Sequence, residues 1–229
     1  METIIPWRTR SRMPTTTMVR PPLAVVAPVS VETHPETAER LRRPLNVVLA
    51  GVALLLLSPL MFLIGILVKL TSRGPVFYYQ ERMGLDGKSI TIVKFRSMYE
   101  DAEADSGPVW ARPSDQRRTG LGAFLRRLSL DELPQFWNVL RGDMSVVGPR
   151  PERPVFVERF RQTVPGYMLR HKVKSGITGW AQVNGLRGNT SLEKRIQYDI
   201  EYIERWSVWL DFKIIAMTVV RVLVDRNAY

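Results

Sequence analysis

The chain has no cysteine among its 229 residues and only two histidines, His34 and His171. The first absence excludes disulfides, thiolate nucleophiles and cysteine-ligated zinc, and is compatible with a reducing compartment. The second excludes a cluster of histidine metal ligands. Any bound metal should therefore be a hard cation held by oxygen, magnesium being the first expectation. Acidic residues are also few beside basic ones, 22 against 33, which leaves a net charge of +11 and a pI near 10.3. Such a balance implies an anionic partner: nucleic acid, acidic lipid headgroups or a phosphorylated small molecule. At 45% hydrophobic, the sequence is not that of a disordered protein, and it can hold one domain of ordinary size plus appendages.

One long stretch lacks charge altogether. "LNVVLAGVALLLLSPLMFLIGILV", residues 45–68, would as a straight helix at about 1.5 Å per residue cross a hydrocarbon core of ~30 Å. A helix apolar on every side needs a larger protein than this to bury it, so a membrane segment is expected instead of a core helix. It starts too deep for a cleaved signal peptide, and no small-residue cleavage pattern follows. Ser58 and Pro59 lie near its middle. Proline removes a backbone donor and clashes with the preceding turn, so a kink or break is expected there, with Ser58 able to satisfy the freed carbonyl. Arg40, Arg42 and Arg43 precede the segment, and Lys69 and Arg73 follow it. Cationic flanks favour the cytoplasmic side, and a helix that enters and leaves by one face satisfies both. A re-entrant helix is the expectation, a kinked single span the alternative.

The remaining organisation reads as three regions. Residues 1–39, rich in Pro, Thr and Arg, form an expected disordered basic arm; residues 40–70 hold the re-entrant helix, and residues 71–229 the catalytic domain. The expected fold class is α+β: a mainly helical cytoplasmic domain with a short β-hairpin, the re-entrant membrane helix and interfacial amphipathic helices. Strands are expected at 76–80 and 89–95, joined by a turn around Asp86-Gly87. "EDAEADSGPVWARPSDQRR" reads as a polar loop with solvated acidic residues. Helical spacing of apolar residues predicts helices at 131–140, 154–162 and 192–204. The last helix, within "RWSVWLDFKIIAMTVVRVLV", carries an apolar face with Trp206, Trp209, Leu210, Ile214, Met217 and Val220. Asp211, Thr218 and Arg221 form its narrow polar stripe, a pattern that suits a membrane interface or a core position.

The chemistry centres on "RRLSLDELPQFWNVLRGDMSVVGPRPE", residues 126–152. Asp131 and Glu132 have two readings. Ser129-x-x-Glu132 fits a capping box with Asp131 in the first helical turn, where the dipole favours negative charge. Alternatively, Asp131 is a carboxylate nucleophile toward phosphorus, and Glu132 binds the metal that neutralises phosphate charge. Lys94, Arg96, Arg126, Arg127, Arg141 and Arg150 offer forks and point charges suited to a diphosphate. Prolines on both sides of Arg150 restrict its backbone and would aim its guanidinium. "KSGITGWAQVNGLRGN" threads glycines through polar residues, as in a loop that approaches a ligand closely.

Taken together, the Ser58-Pro59 break, "GPVFYYQERMGLDGKSITIVKFRSM", "SLDELPQFWNVLRGDMSVVGPRPE", "HKVKSGITGWAQVNGLRG" and "WLDFKI" resemble the bacterial sugar transferases known as monotopic phosphoglycosyl transferases. The resemblance runs from about Arg43 to the C-terminus. The tail "RGNTSLEKRIQYDIEYIERWSVWLDFKI" looks most like members that move glucose 1-phosphate to undecaprenyl phosphate; many of those carry further N-terminal membrane helices and another domain, so this chain corresponds to their catalytic core. The resemblance implies a UDP-sugar donor, a polyprenol (undecaprenyl) phosphate acceptor and release of UMP through an aspartyl-phosphosugar intermediate. Asp131 would be the nucleophile, Glu132 the magnesium (Mg2+) partner, and Arg150 a phosphate ligand. By the same resemblance Asp211 would lie in or near the active site beside Lys94, and Lys94, Arg96 and Arg127 are counted as phosphate ligands on their charge. The expected location is the cytoplasmic face of the inner membrane, among its lipids, with no nucleic acid bound and a homodimer left open. Galactose or an N-acetylhexosamine phosphate is the alternative cargo. A non-catalytic, membrane-anchored basic protein is the alternative from another class. Ser175 departs from the "PGITG" of many relatives, which touches no assigned chemistry.

Overall fold

The computed structural model describes residues 35–104, 107–110, 115–188 and 190–224. The expected arm lies almost wholly outside these residues, except that the first helix already begins at Pro35. That helix, α1 (Pro35–Thr71), runs without interruption through Pro44 and Pro59. Pro59 leaves the Leu55 carbonyl without its usual donor, and the Ser58 hydroxyl donates to that carbonyl at 2.9 Å. Of the expected kink or break, the break does not occur: a side-chain donor substitutes for the missing N–H, so the helix continues. At the far end, Thr71 and Ser72 hydroxyls donate to the carbonyls of Leu67 and Val68 at 2.7 and 3.2 Å.

Next comes the antiparallel hairpin of β1 (Phe77–Met83) and β2 (Ser89–Phe95), in register from Phe77 opposite Phe95 to Met83 opposite Ser89. Its turn places Asp86 at φ 52° and Gly87 at φ 74°, the left-handed region that Asp and Gly tolerate best. Helix α2 (Gly120–Arg127) has no counterpart in the expected elements; Thr119 caps it by accepting from Gly122 N at 2.9 Å. The helix expected at 131–140 is a 3-10 turn over Leu130–Glu132 followed by α3 (Gln135–Arg141). Pro134 lies between them, and having no N–H it cannot carry the hydrogen-bond ladder across the junction.

Two three-residue strands, β3 (Ser145–Val147) and β4 (Gly176–Thr178), pair in parallel. Gly148 and Gly176 allow it, since a Cβ on either would collide with the other's backbone. The glycines of "KSGITG" therefore serve backbone packing. Helices α4 (Pro154–Thr163), α5 (Trp180–Val183), α6 (Leu192–Glu204) and α7 (Val208–Val224) complete the order. The fold is mixed and mostly helical, with one long apolar helix. Its main core joins Ala50 of α1, Ile92 of the hairpin, Val139, Met144, Val147, Tyr202 and Ile214. A second core packs Ile64 and Val68 of α1 against Phe95 and Leu125. Both ends of the apolar helix are thus seated on the rest of the protein, whereas Leu55, Leu56 and Phe62 between them are exposed.

Helix α7 divides its apolar residues. Ile214 is in the core with Leu210 and Met217 against it, while Trp209, Phe212, Val219 and Val220 face outward, Trp209 at 81% exposure. Its polar residues turn inward: Asp211 is buried, and Thr218 shares a 2.7 Å hydrogen bond with Thr178. Of the membrane interface and the core position that the pattern suits, the side carrying Asp211 and Thr218 takes the core position.

Candidate active site

Asp131 and Glu132 enter the site from the 3-10 turn, and the backbone there is not that of a capping box. Ser129 adopts φ 56° and its side chain caps nothing; its hydroxyl instead accepts from Arg187 at 3.3 Å. A left-handed non-glycine residue two positions before a buried acid is the sort of strain that tertiary structure must hold in place. Glu132, freed from capping, turns inward to two cations. Lys94 Nζ, on β2, donates to Glu132 Oε1 at 2.7 Å, and Arg150 grips both oxygens, Nη2 to Oε1 at 2.6 Å and Nη1 to Oε2 at 3.0 Å.

Each cation is positioned in turn. Asn138 of α3 binds the backbone of β2, accepting from Val93 N at 3.0 Å and donating to Thr91 O at 2.7 Å, which fixes the strand that carries Lys94. Two further arginines hold the "GPRPE" segment. Arg170 donates to Arg150 O and Arg82 to Pro151 O, both at 3.0 Å. Arg170 is itself paired with Asp199 at 2.7 Å, and Arg195 binds Glu152 at 3.1 Å. Nothing local in the sequence marks Arg82, Arg170 or Arg195, because their partners lie far along the chain.

The two neighbouring acids differ in their environments. Burial alone would raise the Glu132 carboxyl, but Arg150 and Lys94 outweigh it and hold it well below the usual carboxylate range. Asp131 is also buried, and its nearest cation, Arg126 Nε, stands 3.9 Å away. Among the described residues its carboxylate accepts no hydrogen bond. Burial, and then the charge on Glu132, raise its pKa above the ordinary value. Burial likewise pulls Lys94 below the usual lysine value, with Glu132 drawing it back up. Adjacent acids pushed in opposite directions are the mark of a division of roles.

Both acids line an open cleft of about 580 Å³, together with Lys94, Arg96, Arg126 and Arg150. Of the expected phosphate ligands, Arg127 does not line it: this side chain is exposed and rests over the Phe124 ring at 5.6 Å, one helical position round from Arg126. Asp211, expected beside Lys94, is not there either. It accepts from Tyr202 Oη at 2.7 Å and Trp206 Nε1 at 3.1 Å, with Arg42 Nε at 3.9 Å. The reason is the inward stripe of α7, which delivers Asp211 to the root of α1. Glu103, read as solvated, is paired in both oxygens with Arg153 at 2.7 and 3.0 Å on the cleft wall. Ser58 and Pro59 remain in α1, away from these groups.

No group of three metal-binding side chains occurs among the described residues. Glu132 Oε1 accepts from both Lys94 and Arg150 and Oε2 from Arg150 alone, so a lone pair on Oε2 is what these residues offer to a magnesium ion.

The sequence pattern of the family "Bacterial sugar transferase" matches residues 37–225. A UDP-glucose:undecaprenyl-phosphate glucose-1-phosphate transferase of Escherichia coli (strain K12) is 53% identical over 193 residues, covering 82% of this chain and 41% of that protein. The enzyme of the same name from Caulobacter vibrioides is 43% identical over 202 residues, covering 85% of this chain and 74% of its own. A UDP-N-acetylgalactosamine-undecaprenyl-phosphate N-acetylgalactosaminephosphotransferase of Aeromonas hydrophila is 43% identical over 190 residues, covering 82% of this chain and 45% of that one. The chain thus spans less than half the length of the first and third of these relatives.

Proposed function

Because the chain belongs to the bacterial sugar transferase family, we propose that it moves a hexose 1-phosphate, glucose 1-phosphate foremost, from a UDP-sugar to undecaprenyl phosphate. The observation that carries this reading is the split between Asp131 and Glu132. Glu132, held well below the usual carboxylate range by Arg150 and Lys94 against its burial, is the anchor for both. Asp131, without a hydrogen bond and more basic than an ordinary aspartate, is the nucleophile.

In the first step an Asp131 oxygen attacks the sugar-bearing phosphorus; the bond from that phosphorus to the bridging oxygen breaks, and UMP departs. In the second, an oxygen of the polyprenyl phosphate attacks the same phosphorus and the carboxylate leaves, which yields a polyprenyl diphosphate sugar and free Asp131. Lys94, Arg126 and Arg150 act by placing fixed positive charge where phosphate charge accumulates. Magnesium, when bound, would neutralise charge on the diphosphate, and Glu132 is the residue that would hold it. The Oε2 of Glu132 accepts from Arg150 alone and keeps a lone pair for the metal while Arg150 stays in place. Asp211 is proposed as a positioning residue at the root of α1.

The membrane assignment rests on two features. The root and the far end of α1 both pack on the rest of the protein, so its apolar middle cannot separate them by a bilayer, which favours a re-entrant, one-face insertion. The outward Trp209, Phe212, Val219 and Val220 of α7 suit the headgroup boundary beside it. On this reading the cleft lies at the cytoplasmic face of the inner membrane, where a lipid phosphate meets a soluble nucleotide sugar. N-acetylgalactosamine phosphate is the second candidate cargo, favoured by the Aeromonas relative.

The test is UMP release from a panel of UDP-sugars by detergent-solubilised protein with magnesium, with and without undecaprenyl phosphate. Acceptor-dependent turnover with one sugar is expected. No release with any sugar from folded protein would return the acids to a structural role.

A further inference from the structure

Arg96 follows Lys94 by two residues and lies one position beyond β2, where its N–H still donates to Val76 O at 2.9 Å, so both side chains leave the extended backbone on one face. Arg96 is 6% exposed, and its Nη2 donates to Ser72 O at 2.9 Å, immediately beyond α1. Its other edge, Nε and Nη1, has no hydrogen-bond partner among the described residues. The Glu100 carboxylate is close by, both groups lying within reach of a side chain built on Gly74, yet it does not bond to this edge. Two unmet donors on a buried guanidinium are costly, and their fork has the geometry of two phosphate oxygens. Arg150 offers no such edge, since both of its Nη groups are committed to Glu132.

The wall beside Arg96 is aromatic. Phe77, Tyr78 and Tyr99 line the cleft at 39%, 42% and 57% exposure, and Phe77 stacks on Phe95 at 5.4 Å. A buried cation with a vacant fork, next to wet aromatic faces and the end of an apolar helix, matches a ligand that is phosphate at one end and hydrocarbon at the other.

We propose that Arg96, Phe77, Tyr78 and Tyr99 form the acceptor subsite. The Nε–Nη1 edge takes the phosphate monoester of the polyprenyl chain, and the aromatic wall takes its first isoprene units. Lys94, Arg126 and Arg150 then serve the donor. This assignment rests on the transferase reading above, and the two fail differently.

The experiment separates the half-reactions of the full chain in neutral-detergent micelles: the UMP burst from UDP-glucose without acceptor, and steady-state transfer against undecaprenyl phosphate concentration. Arg96→Gln is expected to impair the acceptor step about tenfold or more beyond any loss in the burst, through a raised KM for undecaprenyl phosphate, with partial rescue by Arg96→Lys. Tyr99→Ala, at an exposed site that tolerates truncation, should raise the same KM about threefold. Equal loss of both half-reactions in Arg96→Gln, or an unchanged acceptor KM in both Arg96→Gln and Tyr99→Ala, would overturn the subsite. Added phosphatidylglycerol supplies the competing source of lipid phosphate. Inhibition by it that Arg96→Gln relieves would assign the edge to headgroups in general and also overturn the proposal. Absence of UMP release from the unmutated protein even with acceptor would remove the transferase reading itself, and the subsite with it.

Discussion

The cluster around Glu132 and the cluster around Asp211 are built from the same parts, a buried carboxylate and an arginine, yet they do different work. At the root of α1, Arg42 Nη2 donates to Val147 O at 3.0 Å and to Tyr202 Oη at 2.5 Å, and Tyr202 and Trp206 both donate to Asp211. Arg43 caps α3 through the carbonyls of Val139 and Leu140 at 2.7 and 2.6 Å, and Asn46 binds Ser145 and Val146. That region is closed, and its acid is satisfied by Tyr202 and Trp206, with Arg42 Nε 3.9 Å away and without a hydrogen-bond partner among the described residues. At the cleft, Glu132 is satisfied in the same manner, but it has a neighbour that is not. The difference teaches that a buried ion pair by itself signifies architecture, and that an adjacent acid left without a donor on a cleft wall signifies chemistry.

The comparison breaks most sharply at Asp131. Asp131→Asn should lower transfer by about 10³-fold or more, since the amide cannot form the acyl phosphate. Micelle association and Tm should stay unchanged; a variant that turns over near the original rate would end the assignment.

A pH profile sharpens the same contrast. Protonation removes the nucleophile, so kcat/KM should fall about tenfold per unit as pH drops through the raised Asp131 value. Glu132, held low, stays ionised over that range, and the limb should therefore be a single step lying above the ordinary aspartate value of 3.8. A limb at or below that value would contradict the environment described for Asp131.

Glu132→Gln should cost stability as well as activity, because Lys94 and Arg150 lose their shared partner. The loss should fall toward the lower end of about 3–5 kcal/mol, since the Arg150 side chain is 32% exposed. Denaturant midpoints and UMP release both report it, and an unaltered midpoint would show that the three groups do not depend on one another.

Asp211→Asn should have the smallest effect on chemistry. The amide leaves Arg42 less well compensated and should lower stability by about 1–3 kcal/mol. The KM for UDP-sugar should change less than Tm does. If UMP release vanished while Tm held, Asp211 would belong to the reaction and the two clusters would not be distinct in kind.

Much of the fold was legible because its signals are local. The strand at 89–95 and helices over Leu192–Glu204 and Pro154–Thr163 follow from alternation and helical spacing, and fall at or within a residue of their expected bounds. Ser58 was readable as the donor for the carbonyl that Pro59 orphans, because the two are a turn apart. The parallel pair of β3 and β4 was not readable, since three residues have no periodicity and their partners are some thirty positions away. Arg126 and Arg127 could not be separated, because a step of one residue turns a helix by about 100°, and only packing says which step faces the cleft.

By itself the sequence determined the chemistry that was available: no thiols, an excess of cations, an uncharged helix, and two acids side by side after an arginine pair. Periodicity, charge and covalent backbone limits act within a few residues, so these could be read along the chain. Only the tertiary structure decided which acid would be bound and which left bare, and that Asp211 would face Arg42 instead of Lys94. Those outcomes depend on desolvation and on partners from distant segments, quantities that exist only once the chain has closed on itself.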